Sequence, residues 1–186
     1  WMLGSSDQSA LMAAQFGLAF SFAHFIVQEG GKKVLEDYRQ NFKNSEFFEK
    51  PDTSLCIFIV CAETEKKARQ LALCRDLSLL FRERGHFRPF PSIAEAETYE
   101  YSEIENSIID RNRPKSLYGD PEQCREIIEK MANDYHIGEM VILSICHDPK
   151  DRQNSFTLWS KNRRNGGSGR KIHMSSPAGG WWWKHW

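Results

Sequence analysis

No stretch of this sequence approaches the roughly 20 apolar residues needed to cross a bilayer. The longest runs, Phe20 to Val27 and Met140 to Cys146, have the length of buried strands. Net charge is missing too. Lys plus Arg number 25, Asp plus Glu number 25, and the pI is near 7.2. Such a surface has no global field to recruit nucleic acid or an anionic membrane, so neither is expected as a partner. The five cysteines (Cys56, Cys61, Cys74, Cys124, Cys146) are odd in number and include no CxxC pair. That excludes a disulfide framework and a zinc site of the usual spacing, and reduced thiols fit a cytoplasmic location. A charged leader and a cleavage site are also absent: Trp1-Met2-Leu3 runs straight into a glycine turn, so the sequence is expected to begin in mid-fold.

What is present suffices for a core, with 186 residues, 40% of them hydrophobic and 12% aromatic. Trp1-Met2-Leu3 reads as the end of a buried strand. Ser6 or Asp7 then caps a helix carrying Leu11, Ala14 and Phe16, which stops at Gly17. Leu18 to Val27 forms a second strand, and Gly30-Gly31 opens a helix with Val34, Leu35, Tyr38 and Phe42 on one side. After the Pro51-Asp52 turn, Leu55 to Cys61 is a continuous apolar strand, and Thr64 caps a long helix reaching Gly85. Residues 86 to 118, broken by Pro89, Pro91 and Pro114, read as an excursion with short helices. Asp120-Pro121-Glu122-Gln123 combines an N-cap, proline at the first helical position and glutamine at the third. The helix it starts leads through Gly138 into the strand Met140 to Cys146. Both-face apolar strands alternating with helices predict a parallel α/β architecture. Four strands cannot close a barrel, and an eight-stranded barrel takes about 250 residues.

Composition changes after Lys150. Residues 151 to 186 hold seven Lys/Arg and one acid, Asp151. Two units follow: 1–150 as the folded part and 151–186 as an irregular basic tail, disordered or non-native. Within the tail Gly166-Gly167-Ser168-Gly169 reads as a linker and Trp181-Trp182-Trp183 as exposed aromatic surface.

Gly4, Ser5, Ser6 and Ser9 stand where a strand ends and a helix begins. Backbone N–H groups, the helix dipole and serine hydroxyls there offer donors to a phosphate. The same residues also describe an ordinary turn and cap. His24, near a strand end, reads either as a core histidine with one hydrogen-bond partner or as a residue beside a ligand. His147 and Asp148 follow the last strand at the same edge and read as solvated loop residues or a polar wall. Tyr118 and Gly119 read as the approach to a capped helix or as pocket residues.

From Trp1-Met2-Leu3-Gly4-Ser5-Ser6-Asp7-Gln8-Ser9-Ala10 through Gln15-Phe16-Gly17 to Phe22-Ala23-His24-Phe25, the sequence resembles the bacterial luciferase-like monooxygenases. Val60-Cys61-Ala62-Glu63-Thr64 and Tyr118-Gly119-Asp120-Pro121-Glu122 extend the resemblance in order and spacing. The family usually has Thr or Ser where Asp120 stands, a mild change for a cap. The resemblance covers about residues 1 to 156 and implies the C-terminal half of a (β/α)8 TIM barrel, strands five to eight. From Thr157 it fails, and a frame change, fusion or cloning-derived end is expected there.

The resemblance further implies a flavin-dependent oxidoreductase in which reduced FMN, from a separate flavin reductase, and O2 oxygenate a small organic substrate. Gly4, Ser5, Ser6 and Ser9 would hold the FMN phosphate, with Ser6 and Ser9 as donors, and His24 would lie near the flavin ring or substrate. Homo- or heterodimers are implied as well. Deazaflavin F420 is the alternative cofactor. A non-catalytic flavin-binding protein or inactive truncated remnant is the alternative function.

Overall fold

The computed structural model describes residues 1–165 and 171–175. In chain order the elements are β1 (Met2–Gly4), α1 (Asp7–Gln15), β2 (Phe20–Ala23), α2 (Gly31–Asn41) and β3 (Thr53–Cys61). Then come α3 (Glu65–Glu83), α4 (Ile93–Thr98), α5 (Glu103–Asn112), β4 (Leu117–Gly119) and α6 (Pro121–Asp134). β5 (Glu139–Leu143), α7 (Pro149–Asn165) and β6 (Lys171–Ser175) complete the series. The strands form one sheet in the order β1-β2-β3-β5-β6, with β4 attached to β3, and every pairing is parallel.

β3 is the centre of this sheet because its sequence is apolar at both parities. Thr53 to Cys56 pair with β2, Ser54 to Phe58 with β5, and Ile59 to Cys61 with β4. Side chains alternate across a strand, so Leu55, Ile57, Ile59 and Cys61 share one face and Cys56, Phe58 and Val60 the other. The first set packs in a cluster with Ala10, Ala13 and Ala14 of α1, Val34 and Leu35 of α2, Cys124 and Ile128 of α6, and Trp159 of α7. Phe58 and Val60 instead meet Ala68 and Leu71 of α3. Four helices thus cover one face, and α3 crosses to the opposite one.

The helix starts follow their sequence signals. Ser6, Thr64, Ser92, Ser102 and Asp120 all cap with side-chain oxygens, and Asp120 and Gln123 form the reciprocal capping box expected from their spacing. The apolar face of α1 differs from expectation: Ala10, Ala13 and Ala14 are buried, whereas Leu11, Met12 and Phe16 are exposed. Alanines permit the close approach of α1 to β1 and β2.

Three further expectations change. The excursion contains a strand, β4, and the second strand ends at Ala23, where Ile26 N donates back to the Ala23 carbonyl. The change in composition after Lys150 falls inside α7, so the residues read as the start of an irregular tail continue a helix to Asn165. Trp159 is buried, and Ser155 Oγ accepts a 2.9 Å hydrogen bond from the Cys61 amide at the end of β3. The glycine-rich linker and the tryptophan run lie outside the described residues.

Candidate functional site at the edge of β1 and β2

Because β1 and β2 are parallel neighbours, the turn after β1 and the loop after β2 emerge at the same sheet edge. Ser6 Oγ accepts from the Ser9 amide (3.3 Å), and Ser9 Oγ accepts from the Ser6 amide (3.3 Å) and donates to the Ser6 carbonyl (2.7 Å). The two hydroxyl oxygens lie 3.2 Å apart. Gly4 makes this arrangement possible: a Cβ there would stand 2.2 Å from Ser9 Oγ and 2.5 Å from Ser9 Cβ. The result is a pair of hydroxyls at the positive end of a helix, with Ser6 exposed and Ser5 and Ser9 half-buried. Asp7, exposed in the first turn, carries a carboxylate into the same region. Of the residues singled out in the sequence, Gly4, Ser5, Ser6 and Ser9 are therefore brought together.

His24 follows β2 at the same edge and packs against Tyr135. It is 7% exposed, and its ring meets Tyr135 edge-on, with centroids 5.9 Å apart, on the side of the sheet that holds the four helices. Phe25 turns to the opposite face with Phe58 and Val60. Burial lowers the His24 pKa to about 4. An unfolded chain takes up protons at this residue below about pH 6.5, whereas the folded chain does so only near pH 4. Its contribution to stability is therefore complete above pH 6.5 and falls as the pH drops toward 4. At pH 5 the loss amounts to about 2 kcal/mol. Urea denaturation of the wild type and of His24→Phe between pH 7.5 and 4.5 tests this. The wild type should lose more stability on acidification than the variant, and parallel profiles would remove the assignment.

His147 and Asp148 have local roles. His147 Nδ1 is 2.9 Å from the Phe90 carbonyl, which only accepts, so the proton sits on Nδ1. Asp148 Oδ1 accepts from the Lys150 amide at the start of α7. Tyr118 packs beside the cluster around Phe58 and Val60, while Gly119 precedes the capped α6 and its carbonyl accepts from Ala62 N. All five cysteines are free. No cluster of three or more His, Cys, Asp or Glu side chains suited to a metal ion occurs among the described residues. No helix among them is long and apolar enough to cross a membrane.

Sequence reasoning missed Arg75. This α3 residue is 6% exposed, and its guanidinium carbon stands 3.9 Å from the centroid of the Phe58 ring. Arg75 Nη2 donates to the Phe25 carbonyl (3.3 Å), at the loop after β2. Nothing in the sequence separates it from the solvated arginines of the same helix.

No protein-family profile matches the chain. Among curated proteins it is similar to YwcH of Bacillus subtilis (strain 168), with 36% identity over 159 residues, covering 85% of this chain and 48% of that protein. It is also similar to a luciferase-like monooxygenase of Escherichia coli (strain K12), with 30% identity over 158 residues, 85% of this chain and 47% of that protein. Among solved structures, apo-MsnO8 superposes with a TM-score of 0.76 and 25% identity, covering 88% of this chain and 50% of that one. The chain spans about half the length of the curated relatives it matches. Over that span it is similar to the luciferase-like monooxygenases.

Proposed function

We propose that this chain forms strands five to eight of a (β/α)8 barrel in a flavin-dependent monooxygenase, and that the Gly4–Ser9 turn holds the phosphate of FMN. The observation that carries this reading is the pair of serine hydroxyls, 3.2 Å apart, at the N-terminus of α1, where β1 ends. The residues fit a phosphate. The amides of Asp7 and Gln8 begin a helix, where N–H groups lack intrahelical acceptors. Ser6 accepts its cap bond through a lone pair, which leaves the hydroxyl proton free to turn outward. Gly4 keeps the floor of the turn free of a side chain that would displace Ser9. The one-way strand order of β1, β2, β3 and β5 supports the barrel, because stepping always in the same direction is how a sheet closes on itself.

Reduced FMN, supplied by a separate reductase, would provide the two electrons by which one oxygen atom of O2 enters a small organic substrate and the other leaves as water. The chain's own residues bind and orient. Ser6 donates to a phosphate oxygen, as Ser9 does once its hydroxyl turns from the Ser6 carbonyl, and the dipole of α1 stabilises the phosphate charge. Asp7 opposes it. Replacing Asp7 by Asn is expected to tighten FMN binding severalfold, and Ser6→Ala with Ser9→Ala to weaken it by at least tenfold. Fluorescence quenching of FMN measures both. Equal affinity in all three proteins would eliminate the phosphate role.

A second reading, flavin binding without turnover, rests on β1. That strand has one partner among the described residues, and Leu3 is 48% and Trp1 62% exposed beside it. Such an edge invites self-association. FMN binding without substrate oxygenation when a reductase and NADH are supplied favours this second reading, whereas turnover excludes it.

A further inference from the structure

Arg75 is a buried cation whose neighbouring carboxylate, Asp76, attracts it only through space and is shared with Arg113. Among the described residues it forms no ion pair: the adjacent Asp76 pairs with Arg113 at 3.3 Å. Arg75 Nε is buried and makes no hydrogen bond, and neither does the buried Nε2 of Gln28, three residues after Phe25. Arg82, further along α3, adds positive potential. Burying a guanidinium costs several kcal/mol unless an anion or a full set of acceptors compensates it. Stacking on Phe58 and one bond to the Phe25 carbonyl are partial compensation only. Desolvation lowers its pKa to about 9, so the side chain stays charged at neutral pH.

These unfilled donors have a definite place in the fold. Phe25 and Gln28 follow β2, and β2 is the parallel neighbour of β1, so they belong to the same sheet edge as the Gly4–Ser9 turn. The edge therefore carries two separate groups of donors, one built from hydroxyls and a helix end after β1, the other from the α3 guanidinium bonded to the loop after β2 and an amide of that loop. A planar fork matches a carboxylate in two parallel bonds.

We propose that Arg75, assisted by Gln28, binds the carboxylate of an organic acid, making the substrate of the proposed oxygenation an anionic one. This assignment of substrate class rests on the functional reading above, but the binding step does not. Benzoate and benzamide are suitable probes because they share shape and differ in charge.

Isotope-labelled wild-type protein should show a saturable shift of the Arg75 side-chain Nε–H resonance with benzoate and none with benzamide. Arg75→Met should bind benzoate at least tenfold more weakly. It should also melt no lower than the wild type without ligand, because a desolvated charge has been removed. A purely structural arginine predicts the reverse: a lower melting temperature in Arg75→Met and no response to benzoate in the wild type. Either of those results overturns the proposal.

FMN titration separates the two readings. Benzoate binding in a protein that does not bind FMN leaves the carboxylate site standing and removes the flavin reading. FMN binding without any response at Arg75 does the opposite. Inorganic phosphate is the third arm. A shift at Arg75 with phosphate that FMN abolishes would give this side chain to the cofactor and overturn its assignment to substrate.

Discussion

Tyr38→Ala is expected to lower the unfolding free energy by about 4 kcal/mol, the upper part of the range for removing a large buried side chain. Tyr38 is fully buried, stacks on Phe20 with ring centroids 5.5 Å apart, and meets Phe42 edge-on at 5.7 Å. Its hydroxyl donates to the Leu18 carbonyl (2.8 Å) and accepts from the Asp52 amide (3.3 Å). Leu18 precedes β2 and Asp52 precedes β3, so one phenol holds the start of both strands. Burial raises its pKa to about 12, so it remains a neutral donor throughout the physiological range.

Tyr38→Phe divides the effect. It keeps the ring and orphans two backbone groups, at a cost of about 1–2 kcal/mol. Urea denaturation with both variants gives the comparison. Equal losses in Tyr38→Phe and Tyr38→Ala would mean that the ring contributes little, contrary to its packing.

Gly31→Ala is expected to cost about 2–3 kcal/mol, a large penalty for adding one methyl group. The added Cβ would lie 2.4, 2.8 and 3.1 Å from three atoms of the Phe22 ring. That ring is fully buried on β2 and has nowhere to move, so α2 must shift away from the sheet. Pairing the change with Phe22→Leu tests the cause. The double variant should recover part of the loss measured for Gly31→Ala, and strict additivity of the two penalties would place the strain elsewhere.

Much of the fold was legible because local signals agreed with one another. Asp120, Pro121 and Gln123 announced α6 by cap, ring constraint and reciprocal bond, and each is present. The parallel architecture followed from strands apolar at both parities. The same property concealed which face was which: in Phe20-Ser21-Phe22-Ala23 every residue is buried, so the sequence did not reveal that His24 would turn toward the helices.

β4 was missed because three residues after Pro114 carry too little pattern to compete with a loop. The continuation of α7 was missed although Asp148-Pro149 repeats the signature of Asp120-Pro121. Charge outweighed pattern there, since the basic composition of the segment obscured Ser155 and Trp159, four residues apart and both buried. The serine pair was legible as a cap and acquired its ligand reading from the resemblance. Arg75 was illegible for a physical reason: burial of a charged helical residue depends on which face of the sheet its helix crosses, and α3 is the one that changes sides.

The central position of β3 has a consequence for how the chain reaches its native state. Its partners are contributed by residues 20–23 on one flank and by residues 139–143, more than 80 positions later, on β5. Such separations raise the contact order, and loop closure must precede the reward of pairing. On a ribosome, β3 emerges with β2 available and β5 still unmade. Its long apolar stretch must then wait, partly unpaired, for the arrival of the C-terminal third. That interval exposes the apolar stretch to association with its neighbours.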